Sequence, residues 1–381
     1  MSLGRDLLAY FVPAEKDSLL INGSFDYSTL GDNLVFLNED SHESILDQAQ
    51  IVIFGYPGSS ISNSIKKNLY ALSNHFPPGS ILDLGTLKKG KTKADTERGI
   101  KDVVAELGRK QKTIILLGGK PEDTIHLYNA YSLLEQAVNI CGIDAGIPLS
   151  TNEKHPKSHY LNDILLNPKN KLFDYSHLAY QVYFTSQPVL ELLDNLYFNH
   201  IRLGAIRQDI REAEPEFRNT DILSFSMSSI RASDAPASEH PGPNGLYAEE
   251  ACQLSRYAGL SERLSCIFIN SIKPKSPDTL ATTALSAQIA WHFIQGVFQR
   301  KNEYPYSDIS NFQKFIVNVP NIGHNIHFYK SPKTNRWWIE VPYPSKKFQR
   351  SLFVACSPSD YQAACKGDIP DRWWKNFQRL S

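Results

Sequence analysis

The sequence carries no net charge. Lysine plus arginine number 40 and aspartate plus glutamate number 40, giving a formal net charge of +0. No global field draws in nucleic acid or an anionic membrane surface, so neither is expected as a partner. Cysteine is scarce as well. The five residues, Cys141, Cys252, Cys266, Cys356 and Cys365, are odd in number, scattered and never paired as CxxC, which speaks against a disulfide framework and against a thiolate zinc site. A reducing cytoplasm fits best. Long apolar runs are also missing: nothing approaches the roughly 18 uncharged apolar residues of a membrane-crossing helix. The stretch MSLGRDLLAYFVPAEKD sets Arg5 and Asp6 beside a very short apolar run and lacks a small-residue cleavage pattern, so no signal peptide is expected. Internal repeats and low-complexity segments are lacking too.

What is present is alternation. At 381 residues the chain is long enough to bury a substantial core. Short apolar, β-branched runs at 51–54, 113–117, 138–143, 180–184, 201–206, 222–225 and 265–269 read as strands. Segments with helical periodicity fall between most of them, at 94–107, 122–134, 190–196, 246–257 and 279–297. Strands that are apolar on both faces and alternate with helices predict a three-layer α/β/α domain around a mostly parallel, twisted sheet of about eight strands. The whole chain reads as one domain in three parts: an N-terminal extension over 1–47, the α/β/α core over 48–300, and an appended element over 301–381. That last part is rich in proline and aromatic residues, including Trp337, Trp338, Trp373 and Trp374. Its β-type runs at 314–319, 326–329 and 337–341 suggest antiparallel strands. Ligands of open α/β sheets bind beyond the carboxyl ends of the strands, so the residues that follow each apolar run are where chemistry is sought.

Those positions carry four motifs. Leu117-Gly118-Gly119-Lys120-Pro121-Glu122 follows one run and Ile143-Asp144-Ala145-Gly146-Ile147-Pro148 another. Ser224-Phe225-Ser226-Met227-Ser228-Ser229-Ile230-Arg231-Ala232-Ser233-Asp234-Ala235-Pro236 follows a third. Gly245-Leu246-Tyr247-Ala248-Glu249-Glu250 opens a helix. In order and spacing they resemble the ureohydrolases (arginase, agmatinase and formiminoglutamase), which have Gly-Gly-Asp-His-Ser, Asp-Ala-His-x-Asp, Ser-Phe-Asp-x-Asp and a glycine-leucine segment ending in glutamate. The third motif, with its Ser-Asp-Ala-Pro ending, is closest to the formiminoglutamase version. The resemblance covers roughly residues 48–300 and implies an arginase-like fold.

It also implies a binuclear manganese site, in which a bridging hydroxide attacks a guanidinium or formimino carbon and six carboxylate and imidazole ligands hold the ions. Carried over position by position, those ligands are missing. The first motif's histidine is Pro121, the second motif's histidine and trailing aspartate are Gly146 and Pro148, and the third motif's two aspartates are Ser226 and Ser228. Asp144 alone remains. No metal cofactor is therefore expected, and the resemblance implies a catalytically inactive relative, a pseudoenzyme. Its old pocket, with Asp144, Glu250, His159 and Lys120 as candidates, would keep a small-molecule ligand or an assembly role as a homo-oligomer or beside an active homologue. The alternative is an active hydrolase of linear amidines or guanidines with an atypical metal site. Glu122, Asp123 and His126 are the nearest relocated ligands, but they fall in the helix after the first motif. Lys120, standing where the family has an acid or amide, is read as neutralising Asp144 by an ion pair.

Each position also has a bland reading. Glu250 matches the family's guanidinium-binding glutamate, and an acid in a first helical turn equally complements the helix dipole. His155 or His159 stands where a family histidine assists proton transfer, yet either equally suits a surface loop. His324 and His327 form HxxH, but residues three apart on a strand face opposite sides, so a shared metal is not expected. The tryptophan pairs read as packing anchors of the appended element or as marks of a subunit interface.

Overall fold

The computed structural model describes residues 4–20, 27–38, 44–134, 137–152, 159–303, 305, 309–320, 324–343 and 351–380. Its strands are β1 (Phe11–Val12), β2 (Val35–Phe36), β3 (Ile51–Gly55), β4 (Ile81–Leu87), β5 (Thr113–Leu117), β6 (Val138–Ile143), β7 (Leu172–Tyr180), β8 (Asn199–Arg202), β9 (Ile222–Ser226), β10 (Cys266–Asn270), β11 (Gln313–Val319), β12 (His324–Lys330), β13 (Trp337–Pro342) and β14 (Ser351–Cys356). The first ten form one sheet in the order β1-β4-β3-β5-β10-β9-β6-β7-β8, with β2 also on β4. Every pairing in it is parallel except that of β1.

The central strands are buried along their whole length because both faces are covered. Alternate residues divide between two apolar cores: Ile51, Ile53, Ile115, Leu117, Ile267 and Ile269 enter one, while Val52, Phe54, Ile114, Leu116 and Phe268 enter the other. Helices Ile61–Tyr70, Ala248–Gly259 and Thr279–Phe298 supply side chains to the first core. Helices Lys93–Arg109, Thr124–Tyr131 and Tyr160–Leu165 supply them to the second. This is the expected three-layer α/β/α arrangement around a mostly parallel sheet, whose ten strands, two of them the two-residue β1 and β2, compare with the expected number of about eight.

Two expected strands are displaced. The run at 180–184 is the end of β7 followed by a 3-10 turn, Val182–Phe184. The strand itself was hidden by the buried polar residues Asp174, Ser176 and His177, of which Asp174 is ion-paired with Arg379 and His177 is hydrogen-bonded to Tyr175. The run at 201–206 stops as a strand at Arg202 and turns helical over Leu203–Gln208.

Strands β11 to β14 form a separate antiparallel sheet. Its own core holds Val319, Ile326, Phe328, Trp337, Ile339 and Val354, closed by Trp373 from the helix Asp371–Leu380. Trp337 stacks on Tyr361, with ring centroids 4.9 Å apart. Trp338 faces the other way and lies under the Arg218 guanidinium at 4.7 Å. Among the described residues no helix is long and apolar enough to cross a membrane.

Candidate functional site

The carboxyl ends of β5, β6, β7 and β9 open on a cavity of about 610 Å³. The chain leaves β5 through Gly118 and Gly119, at φ +85° and +90°. Only glycine enters that region cheaply. A Cβ on Gly119 would also stand 2.9 Å from Tyr56 and 3.0 Å from Phe268. This turn delivers Pro121 and Glu122 to the cavity wall.

From β6 come Asp144, Ala145, Gly146, Ile147 and Pro148, all in the lining. Asp144 Oδ1 accepts from its neighbour Ala145 N at 2.7 Å. Burial pushes its carboxyl up to about 7, aided by the like charge of Glu239 and opposed by hydrogen bonds from Ala145, Ser226 and Gly146. Its own carbonyl accepts from His177 Nε2 at 3.1 Å. A carbonyl only accepts, so Nε2 carries the proton and Nδ1 is left to accept from Tyr175 Oη at 2.8 Å. Burial lowers His177 to about 4, so the ring is neutral at pH 7.

From β9 come serines whose hydroxyls are already engaged. Ser226 Oγ accepts from Ser228 N at 3.2 Å and also hydrogen-bonds Asp144. Ser228 Oγ bonds Ser271 Oγ at 2.8 Å and accepts from His240 N at 3.2 Å. Ser224 Oγ accepts from Thr124 Oγ1 at 2.9 Å and from Asn270 Nδ2 at 3.1 Å. This neutral hydroxyl and amide network occupies the strand ends.

The replaced positions converge: Pro121, Gly146, Pro148 and Ser228 line the cavity, and Ser226 touches Asp144. His159 also lines it, at the start of the helix Tyr160–Leu165. His155 lies outside the described residues. Lys120 does not take the place expected of it. It is exposed and makes no ion pair with Asp144; its charge acts on Glu239 instead. Glu250 is not in the lining. Its Oε2 accepts from Tyr247 N at 2.8 Å, capping the helix Ala248–Gly259, and its Oε1 lies 3.7 Å from Arg207. Of the relocated candidates, Glu122 faces the cavity, whereas Asp123 accepts from Lys120 N at 2.8 Å and His126 stands 3.9 Å from Glu97. His327 bonds Glu340 at 2.9 Å, and the side chain of His324 is outside what is described. Among the described residues, no three of histidine, cysteine, aspartate and glutamate are grouped to hold a metal.

The sequence reading missed several lining residues, among them His177, Phe184, Glu239 and His240. His177 and Phe184 belong to the displaced β7 and its turn. Glu239-His240 follows soon after the third motif, and that proximity was the available signal.

No family model matches the sequence, and no curated protein does. Solved structures do match. The formiminoglutamase of Trypanosoma cruzi with manganese is 15% identical, covering 67% of this chain and 96% of that one, at a TM-score of 0.59. The formimidoylglutamase of Bacillus subtilis is 16% identical, covering 73% and 96%, at 0.60. The agmatine ureohydrolase of Thermoplasma volcanium is 18% identical, covering 74% and 97%, at 0.56. At such identities the likeness shows the fold alone, and that fold is arginase-like.

Proposed function

We propose that this arginase-like chain has lost the binuclear manganese site and its hydrolytic chemistry, and uses the cavity at Asp144 to bind a small molecule without metal. The observation that carries the reading is the donor set. Where the fold's hydrolases would offer six ligands, one carboxylate remains beside Pro121, Gly146, Pro148, Ser226 and Ser228. The first three have no ligating side chain. The two serine hydroxyls are committed to Asp144, Ser271 and the backbone. Hard divalent ions need several anionic oxygens or imidazoles, so these residues do not fit a metal pair. Emptying a dication from a cluster of carboxylates would leave like charges in a low dielectric, and loss of those carboxylates with the metal is physically coherent. Five free cysteines support a cytoplasmic setting.

Protein purified with manganese present should contain well under one metal per chain by elemental analysis and release neither urea nor formamide from guanidino and formimino substrates. About two metals per chain with turnover would overturn the reading in favour of an active hydrolase with an atypical site. Thermal stabilisation by a small molecule in chelator separates a binding role from a purely structural one.

A further inference from the structure

The cavity has a polarity of its own. Its lining carries three carboxylates, Glu122, Asp144 and Glu239, and no lysine or arginine. The charge acting on Asp144 is the like charge of Glu239, while Lys120, exposed outside the wall, acts on Glu239 and makes no ion pair with Asp144. The mouth is different. Phe184 is 60% exposed and packs edge-on against Tyr183 with ring centroids 4.7 Å apart. Ile147, His159 and Phe184 also border an adjoining cavity of about 200 Å³ that reaches Leu149 and Val189. The main cavity thus sets three carboxylates beside an apolar wall of Ile143, Ala145, Ile147 and Phe184, and the adjoining cavity adds Ser150, Thr151 and Asn152 to Leu149 and Val189.

We propose that the occupant is a compact monocationic amine with an apolar or aromatic body, its ammonium on Asp144 and its body along Ile147 and Phe184. This rests on the metal-free reading above, because a bound metal pair would neutralise Asp144 and repel the cation. The ammonium supplies the cationic partner that the neutral donors of Ala145, Ser226 and Gly146 do not, in a recess where water screens poorly. The body removes apolar wall and ring surface from water. Each half alone is weak, and together they select. A zwitterionic amino acid is disfavoured, since its carboxylate would enter a recess already holding three acids.

A matched series tests this by titration calorimetry on the full chain in chelator. Tryptamine should bind, while tryptophol (no charge), ethylamine (no body) and tryptophan (added carboxylate) should each bind at least about tenfold more weakly. Asp144→Asn should weaken tryptamine by a similar factor. Gly146→Leu gives a control on folding: a Cβ there meets nothing within 4 Å, so the leucine fills the cavity, abolishes binding and leaves the melting temperature in place. Tryptophol binding as well as tryptamine, Asp144→Asn binding unchanged, or no response to tryptamine at millimolar concentration overturns the proposal. Metal-free, inactive protein that ignores tryptamine sinks this inference alone. Two metals per chain with turnover sinks the functional reading on which it rests.

Discussion

Of the three carboxylates that line the cavity, Asp144 is the one at a ligand position of the resemblance, and its energetics can be read by titration. Asp144 is pushed from an ordinary 3.8 up to about 7 by burial. A carboxyl whose pKa is higher folded than unfolded opposes folding when ionised. The penalty is absent below the unfolded value and complete above the folded one. Asp144→Asn should therefore be more stable than the parent at pH 8 by about 2 kcal/mol, a figure reduced for the carboxylate's contact with the open cavity, with the gap closing by about pH 4. Denaturant unfolding at several pH values checks this, and a gap constant with pH contradicts it. A second residue pair behaves oppositely. Lys66 and Asp83 are both fully buried and 2.5 Å apart, and Lys66 also donates to Gly85 O at 2.7 Å while Tyr70 donates to Asp83 at 2.7 Å. Lys66→Met leaves Asp83 buried and charged without its cation, which should cost about 3–5 kcal/mol. A loss below about 1 kcal/mol by urea titration would show that the pair is not the pin of β4.

At the scale of elements, one close approach fixes how two helices of the same layer sit. Helices Ala248–Gly259 and Thr279–Phe298 meet glycine to glycine, and a Cβ on Gly296 would lie 2.8 Å from the Gly259 Cα. Gly296→Ala should force the helices apart and destabilise by about 1–3 kcal/mol, even though alanine has the better helix propensity. A stabilised Gly296→Ala in thermal unfolding contradicts the packing. The strand β7 shows why pattern reading stops short. Its polar residues Asp174, Ser176 and His177 interrupt the apolar run, and only their partners make burial tolerable. By contrast β5 and β6, polar only at Thr113 and Asn139, were legible to the residue.

On the scale of the whole molecule, the second sheet is held on the core by buried cations. Arg218 donates to Trp337 O at 2.8 Å and Cys356 O at 2.7 Å, and pairs with Glu214 at 3.0 Å. Arg372 lies 2.6 Å from Asp360, 3.1 Å from Glu216 and 3.4 Å from Glu212. Burial works against its charge, but the three acids more than offset that and raise its pKa. Arg372→Ala strands those acids and should loosen helix Asp371–Leu380, at a cost of about 3–5 kcal/mol, with earlier proteolytic nicking beyond residue 300 than in the 48–300 core. Uniform cleavage of parent and variant argues against that role.

The sequence by itself determined the alternating architecture, because a strand buried on both faces must be apolar along its length. It also carried the four ordered motifs whose resemblance singles out Pro121, Gly146, Pro148, Ser226 and Ser228, and the fold brings four of these to one cavity wall. Tertiary structure alone decided who else stands at the site. His177, Phe184, Glu239 and His240 come from β7, its following turn and the segment after β9, and no local pattern brings them together. It also moved two expected residues out of their roles. Lys120 faces solvent, and Glu250 caps its own helix, because the direction of a side chain follows from the packing around it and not from its place in a motif.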